Sequence, residues 1–220
     1  MKRTTHLRLQ ALIAAAVALV AATAMTLDAA DSVKLRGTLG PTPGPDSTGH
    51  VEGKRAYLTR IAASDPGRSA AALVSFSKFV SAAEAKSFAS GMEVKAVFVR
   101  FPGSDPDVFR VTNNAVEREV ELGAAELGDV VRAEITSIEE QLRTAQGAER
   151  DSLNRSLEER GRALIALRPE CACVYAIVVQ ETKLSDLARL QQRSEVELVD
   201  VPEPTTDDLT GWELRPILPS

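Results

Sequence analysis

Hydrophobic and polar positions along the chain follow two rhythms. Four short stretches are apolar enough to be strands: Ala71 to Phe76, Val94 to Phe101, Ala172 to Val179 and Glu195 to Val201. The third, Ala-Cys-Val-Tyr-Ala-Ile-Val-Val, has no position suited to water. At period two, Cys173, Tyr175, Ile177 and Val179 point one way and Ala172, Val174, Ala176 and Val178 the other. Both faces then need cover and both edges need a neighbour, which predicts a central strand.

Helical spacing joins these strands in pairs. Between the first two, Ser81-Ala82-Ala83-Glu84 is a capping box, Gly91 is the residue that stops the helix, and Ala85, Phe88 and Ala89 share a face. Between the last two, a helix starting near Thr182 turns Leu184, Leu187 and Leu190 inward. The runs 92–97 and 194–199 hold equivalent places in the two units. Two strand-helix-strand units in one sheet predict an α+β fold, a ferredoxin-like β-α-β…β-α-β sandwich with its first and third strands central.

Between the units the period lengthens. From about 124 to 167, Val131, Ile135, Ile138 and Leu142 stand at heptad spacing, followed by Leu153, Leu157 and Leu164 beyond a break around Gly147. Two antiparallel helices would bury each other's stripes, giving a coiled-coil arm inserted in the sandwich. One long helix is the alternative, since an interior glycine costs only about 1 kcal/mol. Ahead of the arm, Val108–Val111 and Val116–Leu122 read as short strands, and Arg55–Ala63 reads as a short helix presenting Tyr57, Leu58 and Ile61.

The N-terminal third follows neither rhythm. Lys2, Arg3 and Arg8 precede an uncharged run from Ala11 to Leu27, the arrangement of a segment that enters a membrane with its basic end inside. The expected topology is a single-pass protein, N-terminus cytoplasmic and C-terminal domain extracytoplasmic. The alternative is secretion after cleavage near Ala24, where Ala22-Thr23-Ala24 fits a signal-peptidase site. Residues 31–53, with Gly-Pro-Thr-Pro-Gly-Pro at their centre, read as a flexible tether. The expected organisation is therefore 1–30 membrane segment or signal peptide, 31–53 tether, 54–201 α+β domain and 202–220 tail.

Composition narrows the function classes. The net charge of −5 counts 26 basic residues against 31 acidic ones, and three of the basic residues are in the leader, so the rest is more acidic still. That balance opposes nucleic-acid binding. Only two histidines occur, His6 in the leader and His50 in the tether, neither placed to act as a buried general base. No Gly-rich phosphate loop follows a strand, and Glu117/Glu119/Glu121 and Glu139/Glu140 lack calcium-loop spacing. No catalytic, cofactor or metal residue is assigned.

Two features remain. Cys171 and Cys173 are the only cysteines, and an extracytoplasmic setting permits their disulfide, although residues i and i+2 of an extended strand lie about 6.5 Å apart, near the outer limit. Closure requires a kink where the strand begins; linkage to another chain and free thiols are the alternatives. Trp212, the sole tryptophan, either folds back onto the domain or offers itself to a partner.

The sequence of basic leader, alanine-rich segment, Pro-Gly tether, Ala72-Leu73-Val74-Ser75-Phe76 strand, helical arm and Cys-x-Cys-Val-Tyr strand resembles uncharacterised membrane-anchored bacterial surface proteins, a resemblance that implies no activity. Ala72 to Gly91 is also similar to the opening of subtilisin-type propeptide inhibitors. The expected function is a non-enzymatic, membrane-tethered module that binds an unidentified protein, with a homodimer through the arm or membrane segment open; the alternative is a protease propeptide or inhibitor-like domain.

Overall fold

A computed structural model describes residues 37–41, 47–101, 108–168 and 170–219. The run Ala11–Leu27 and the candidate cleavage site lie outside these residues. Among those described, no helix is long and apolar enough to cross a membrane.

The fold is α+β. In chain order its elements are β1 (Gly37–Leu39), α1 (Ser47–Ser64), β2 (Ser69–Val80), α2 (Ala82–Phe88), β3 (Glu93–Val99), β4 (Val108–Val111) and α3 (Val116–Leu142). Then come α4 (Gly147–Ala166), β5 (Val174–Lys183), α5 (Leu184–Gln191), β6 (Val196–Asp200) and β7 (Trp212–Leu214). Five strands form one sheet in the order β4-β3-β5-β2-β6, each antiparallel to its neighbours. As expected of a strand without a water-facing side, β5 is interior, between β2 and β3.

Strict alternation along β5 does not hold. Phe98 pairs with Ala176 and the next residue, Val99, pairs with Val174, so Tyr175 is the extra residue of a bulge. Tyr175 therefore leaves the face of Ile177 and Val179 and joins Ala176 and Val178 on the other. There it meets Phe98 and Phe79, with ring centroids 5.9 and 6.2 Å away. A second irregularity, between Val94 and Ala96, turns Val94 to the side of Val97 and away from Ala96 and Phe98. Ala172 is not in the strand; it is exposed in a bend before it.

Each sheet face has its own core. One buries Val74, Phe76, Val97, Ile177 and Val179 under Leu58 of α1, Ala85 of α2, and Leu184, Leu187 and Leu190 of α5. Ser81 caps α2 by the expected reciprocal box, its side chain accepting from Glu84 N–H while Glu84 accepts from Ser81 N–H at 2.8 Å. The opposite face buries Leu73, Ala96, Phe98, Tyr175 and Val178 under Leu39 and Leu209, with Trp212 and Leu214 packed on them. The covering layer is β1 paired in parallel with β7, Gly37 against Trp212 and Leu39 against Leu214.

That layer corrects the expected tether. Gly37–Leu39 is a strand and α1 begins at Ser47, so the domain reaches well before residue 54. Composition points to a linker because the Gly-Pro-Thr-Pro-Gly-Pro run 40–45 denies helix and sheet continuity; Gly37 and Gly40, just before and at its start, are close-approach sites instead. A Cβ on Gly37 would sit 2.4 Å from the Trp212 ring, and one on Gly40, whose φ is +93°, would sit 1.6 Å from Arg215 O.

The segment 116–122 is a second correction: it forms the first turns of α3, not a strand. Val116, Val120 and Ala124 are spaced by four and all enter the helix-side core. The arm consequently starts at Val116 rather than near 124 and is rooted in the domain. It is a hairpin of two helices. Glu134 on α3 and Arg160 on α4 pair at 2.9 Å, fixing the antiparallel register.

Candidate functional site

The expected site residues fall in two separate places. Cys171 and Cys173 form a disulfide, with Cα atoms 5.2 Å apart across the bend at Ala172. Cys171 N–H donates to Arg168 O, Cys173 N–H to Val80 O, and Cys173 O accepts from Arg100 N–H. The bond staples the turn by which α4 re-enters the sheet. Both sulfurs are thereby consumed, which leaves no thiol for nucleophilic chemistry.

Trp212 folds back on the domain. Its ring lies against Gly37 and the second core, while its Nε1 is buried without an acceptor among the described residues. Leu39 O accepts from Arg215 N–H at 2.7 Å, and the Ser75 side chain accepts from Ile217 N–H at 3.0 Å. Arg215 also donates to Glu213 through Nε and Nη2 at 2.8 and 2.6 Å. These side-chain bonds hold the Glu213 carboxyl below the usual carboxylate range. The tail is thus an integral part of the second face.

A charged cluster that the sequence reading missed lies at the end of β6. Asp200 is fully buried; its Oδ2 accepts from Gly40 N–H at 2.6 Å, and its Oδ1 lies 2.9 Å from Lys54 Nζ. His50 Nε2, itself buried, is 3.5 Å from the same Oδ2. His50 therefore sits on a helix beside a carboxylate, not in a tether. Beside the cluster, His50, Lys54, Tyr57, Arg60 and Glu203 line an open groove of about 520 Å³. The Arg60 guanidinium lies 5.4 Å over the Tyr57 ring.

Chemically, this cluster is a clip. The carboxylate's oxygens are engaged by Gly40 and Lys54, so Asp200 joins the segment after β1, helix α1 and strand β6 at one buried point. In the sequence its members are only an aspartate ending a largely apolar strand, His50 and Lys54 four positions apart, and a glycine, each ordinary where it stands. Only distance in the fold relates them. Among the described residues, no group of three His, Cys, Asp or Glu side chains is placed to hold a metal ion.

The remaining feature is apolar. Among the described residues the exposed large hydrophobics are Phe109, Val111, Leu122, Val130, Ile165 and Leu218. The first four belong to β4 and α3, which are bridged by Arg110 Nη2 and Glu126 Oε2 at 2.5 Å. Compared with protein-family models, curated proteins and solved structures, the chain matches none.

Proposed function

We propose that this chain is a membrane-tethered extracytoplasmic module that binds another protein through the α3–α4 arm and carries no catalytic role of its own. The observation that supports the arm is its economy of burial. Helix α4 spans 20 residues without a fully buried side chain, and beyond Val131 no α3 residue is buried. The outer arm contributes nothing to either sheet core, so its length serves a surface. The sheet face opposite the helices is less suited to a partner, because β1, β7 and Leu209 already occupy it.

The strand order β6-β2-β5-β3, with α2 and α5 contributing to one core, supports a ferredoxin-like reading in which β4 is an added edge strand and the arm is inserted between β4 and β5. The basic leader and the Ala11–Leu27 run support anchorage with the domain outside. The propeptide reading requires an extended C-terminal segment entering a protease, and the pairing of β7 with β1 weighs against it.

Two measurements test this function. A reporter fused after Ser220 is expected to be active outside the cytoplasm, and activity only inside would overturn the topology. A photo-crosslinking residue placed at exposed Gln146 or Glu149, at the arm tip, is expected to capture a different protein in cells. Adducts from Glu195 on the far side of the sheet but none from the tip would exclude the arm.

A further inference from the structure

Of the sheet's two edges, one is closed by side chains. On β6, Glu197 O accepts from Arg55 and Gln191 side chains, and Val199 N–H donates to Gln191 Oε1 at 2.7 Å. Among the described residues, the β4 edge has no such cover. Thr112 N–H donates inward to Lys95 O, and β3 and β4 pair with Val97 opposite Arg110 and Phe98 opposite Phe109. In an antiparallel ladder the inward-bonded residues alternate, so Arg110 turns its N–H and C=O to β3, and Phe109 and Val111 turn theirs outward. Their side chains are 49% and 72% exposed on one face of the sheet. An open edge carrying apolar residues is a template for another strand.

We infer that β4 and the adjoining flank of α3 form a two-fold interface with a second copy of this chain, joining two sheets edge to edge. Set antiparallel, with Phe109 opposite the second copy's Val111, the two β4 strands exchange the outward backbone bonds and stack two apolar pairs on one face. On the other face the charges complement themselves. Arg110 projects towards α3, its Nε buried without an acceptor among the described residues and its guanidinium beside Glu126, which is 68% exposed. In this register Arg110 of one copy lies next to that of the other. Each copy brings its own Glu126 against its own Arg110, so the two opposed arginines are neutralised from within the pair of chains, whereas a foreign strand with a basic residue at this place would meet Arg110 without a carboxylate of its own. Leu122 and Val130, one turn to either side of Glu126, extend the contact from helix to helix. This interface goes beyond the proposed arm-binding role and does not depend on it; it would display two arms from one doubled sheet.

The test uses the full chain in detergent micelles, its protein mass measured by light scattering at ~10 µM, a concentration at which a micromolar interface is largely filled. The expected mass is twice the 23.6 kDa of one chain. Val111→Pro removes an outward N–H without touching the ladder to β3 and is expected to give single chains with an unchanged melting temperature. Arg110→Glu and Glu126→Arg, each alone, place like charges around the axis and are expected to be single chains, while their equimolar mixture regains the doubled mass. If Arg110→Glu does not fold, Val111→Pro and Glu126→Arg decide the matter. A single-chain mass for the parent protein, a doubled mass that survives Val111→Pro and Glu126→Arg, or a mixture of two folded variants that stays single would each overturn the interface.

Discussion

The backbone N–H of Gly40 donates to Oδ2 of Asp200 at 2.6 Å, across 160 residues of sequence, and so locks the first described strand to the last strand of the sheet. Lys54 completes the clip from α1. Asp200→Ala leaves the Lys54 ammonium without its counter-charge and the Gly40 N–H without its acceptor, and its expected cost is about 3 kcal/mol, the scale for breaking a buried ion pair from one side. The same logic distinguishes two truncations. A chain starting at residue 37 is expected to unfold with the midpoint of the parent, and one starting at 54 at a markedly lower urea concentration, since it lacks β1, Gly40 and His50. Equal midpoints would mean that the clip contributes nothing.

A second prediction concerns the approach of Gly40 to Arg215. Alanine there meets both a φ of +93° and a Cβ only 1.6 Å from Arg215 O, so Gly40→Ala is expected to pry β1 from β7 at about 1 to 3 kcal/mol. Trp212 reports the event directly, because it is the only tryptophan and its ring rests on Gly37. Its emission should shift to the red in this variant, and an unshifted spectrum would show that the covering layer stays in place.

Acid should act on the same layer. The Arg215 side chain, as the leading cause, holds the Glu213 carboxyl below the ordinary carboxylate range, so the carboxylate is favoured by folding. The resulting stabilisation is present at neutral pH, above the unfolded value near 4.3, and is lost as pH falls through the lower folded value. Trp212 emission is therefore expected to begin moving to the red below about pH 4, and Glu213→Gln to remove that part of the response. A response identical in the variant would assign the titration to other groups, of which Glu84, lowered chiefly by the Ser81 backbone N–H, is one.

What could be read from the sequence was what local pattern determines. The capping box at Ser81 and Glu84, the inward leucines of α5 and the interior position of β5 follow from spacing alone, and all three hold in the structure. Tyr175 could not be placed, because a single bulge reverses the facing of the residues before it and no residue type announces the bulge. Val116 and Val120 fit both periods, two and four, and only their burial in the helix-side core decides for the helix. Asp200, His50, Lys54 and Gly40 were illegible for another reason: each is ordinary in its own segment, and the clip exists only where three segments converge.

The rooting of α3 sets how the arm can be removed, and that is the last prediction. Treating the arm as beginning near 124 suggests joining Leu122 to Pro169, but this cut discards Ala124 and Val131, both buried, together with the Cys171–Cys173 staple's anchor at Arg168. Such a chain is expected to lose several kcal/mol and to melt broadly or not at all. Removing 136–158 instead, with a short flexible turn, keeps Glu134 opposite Arg160 and every α3 residue that reaches the core. This shorter arm should leave cooperative unfolding intact and shift the melting temperature by only a few degrees. Ile177→Asp, which places a carboxylate in the fully buried interior strand, should abolish the fold in either background. If the short-armed chain failed to fold while Ile177→Asp was tolerated, the helices and not the sheet would organise the domain.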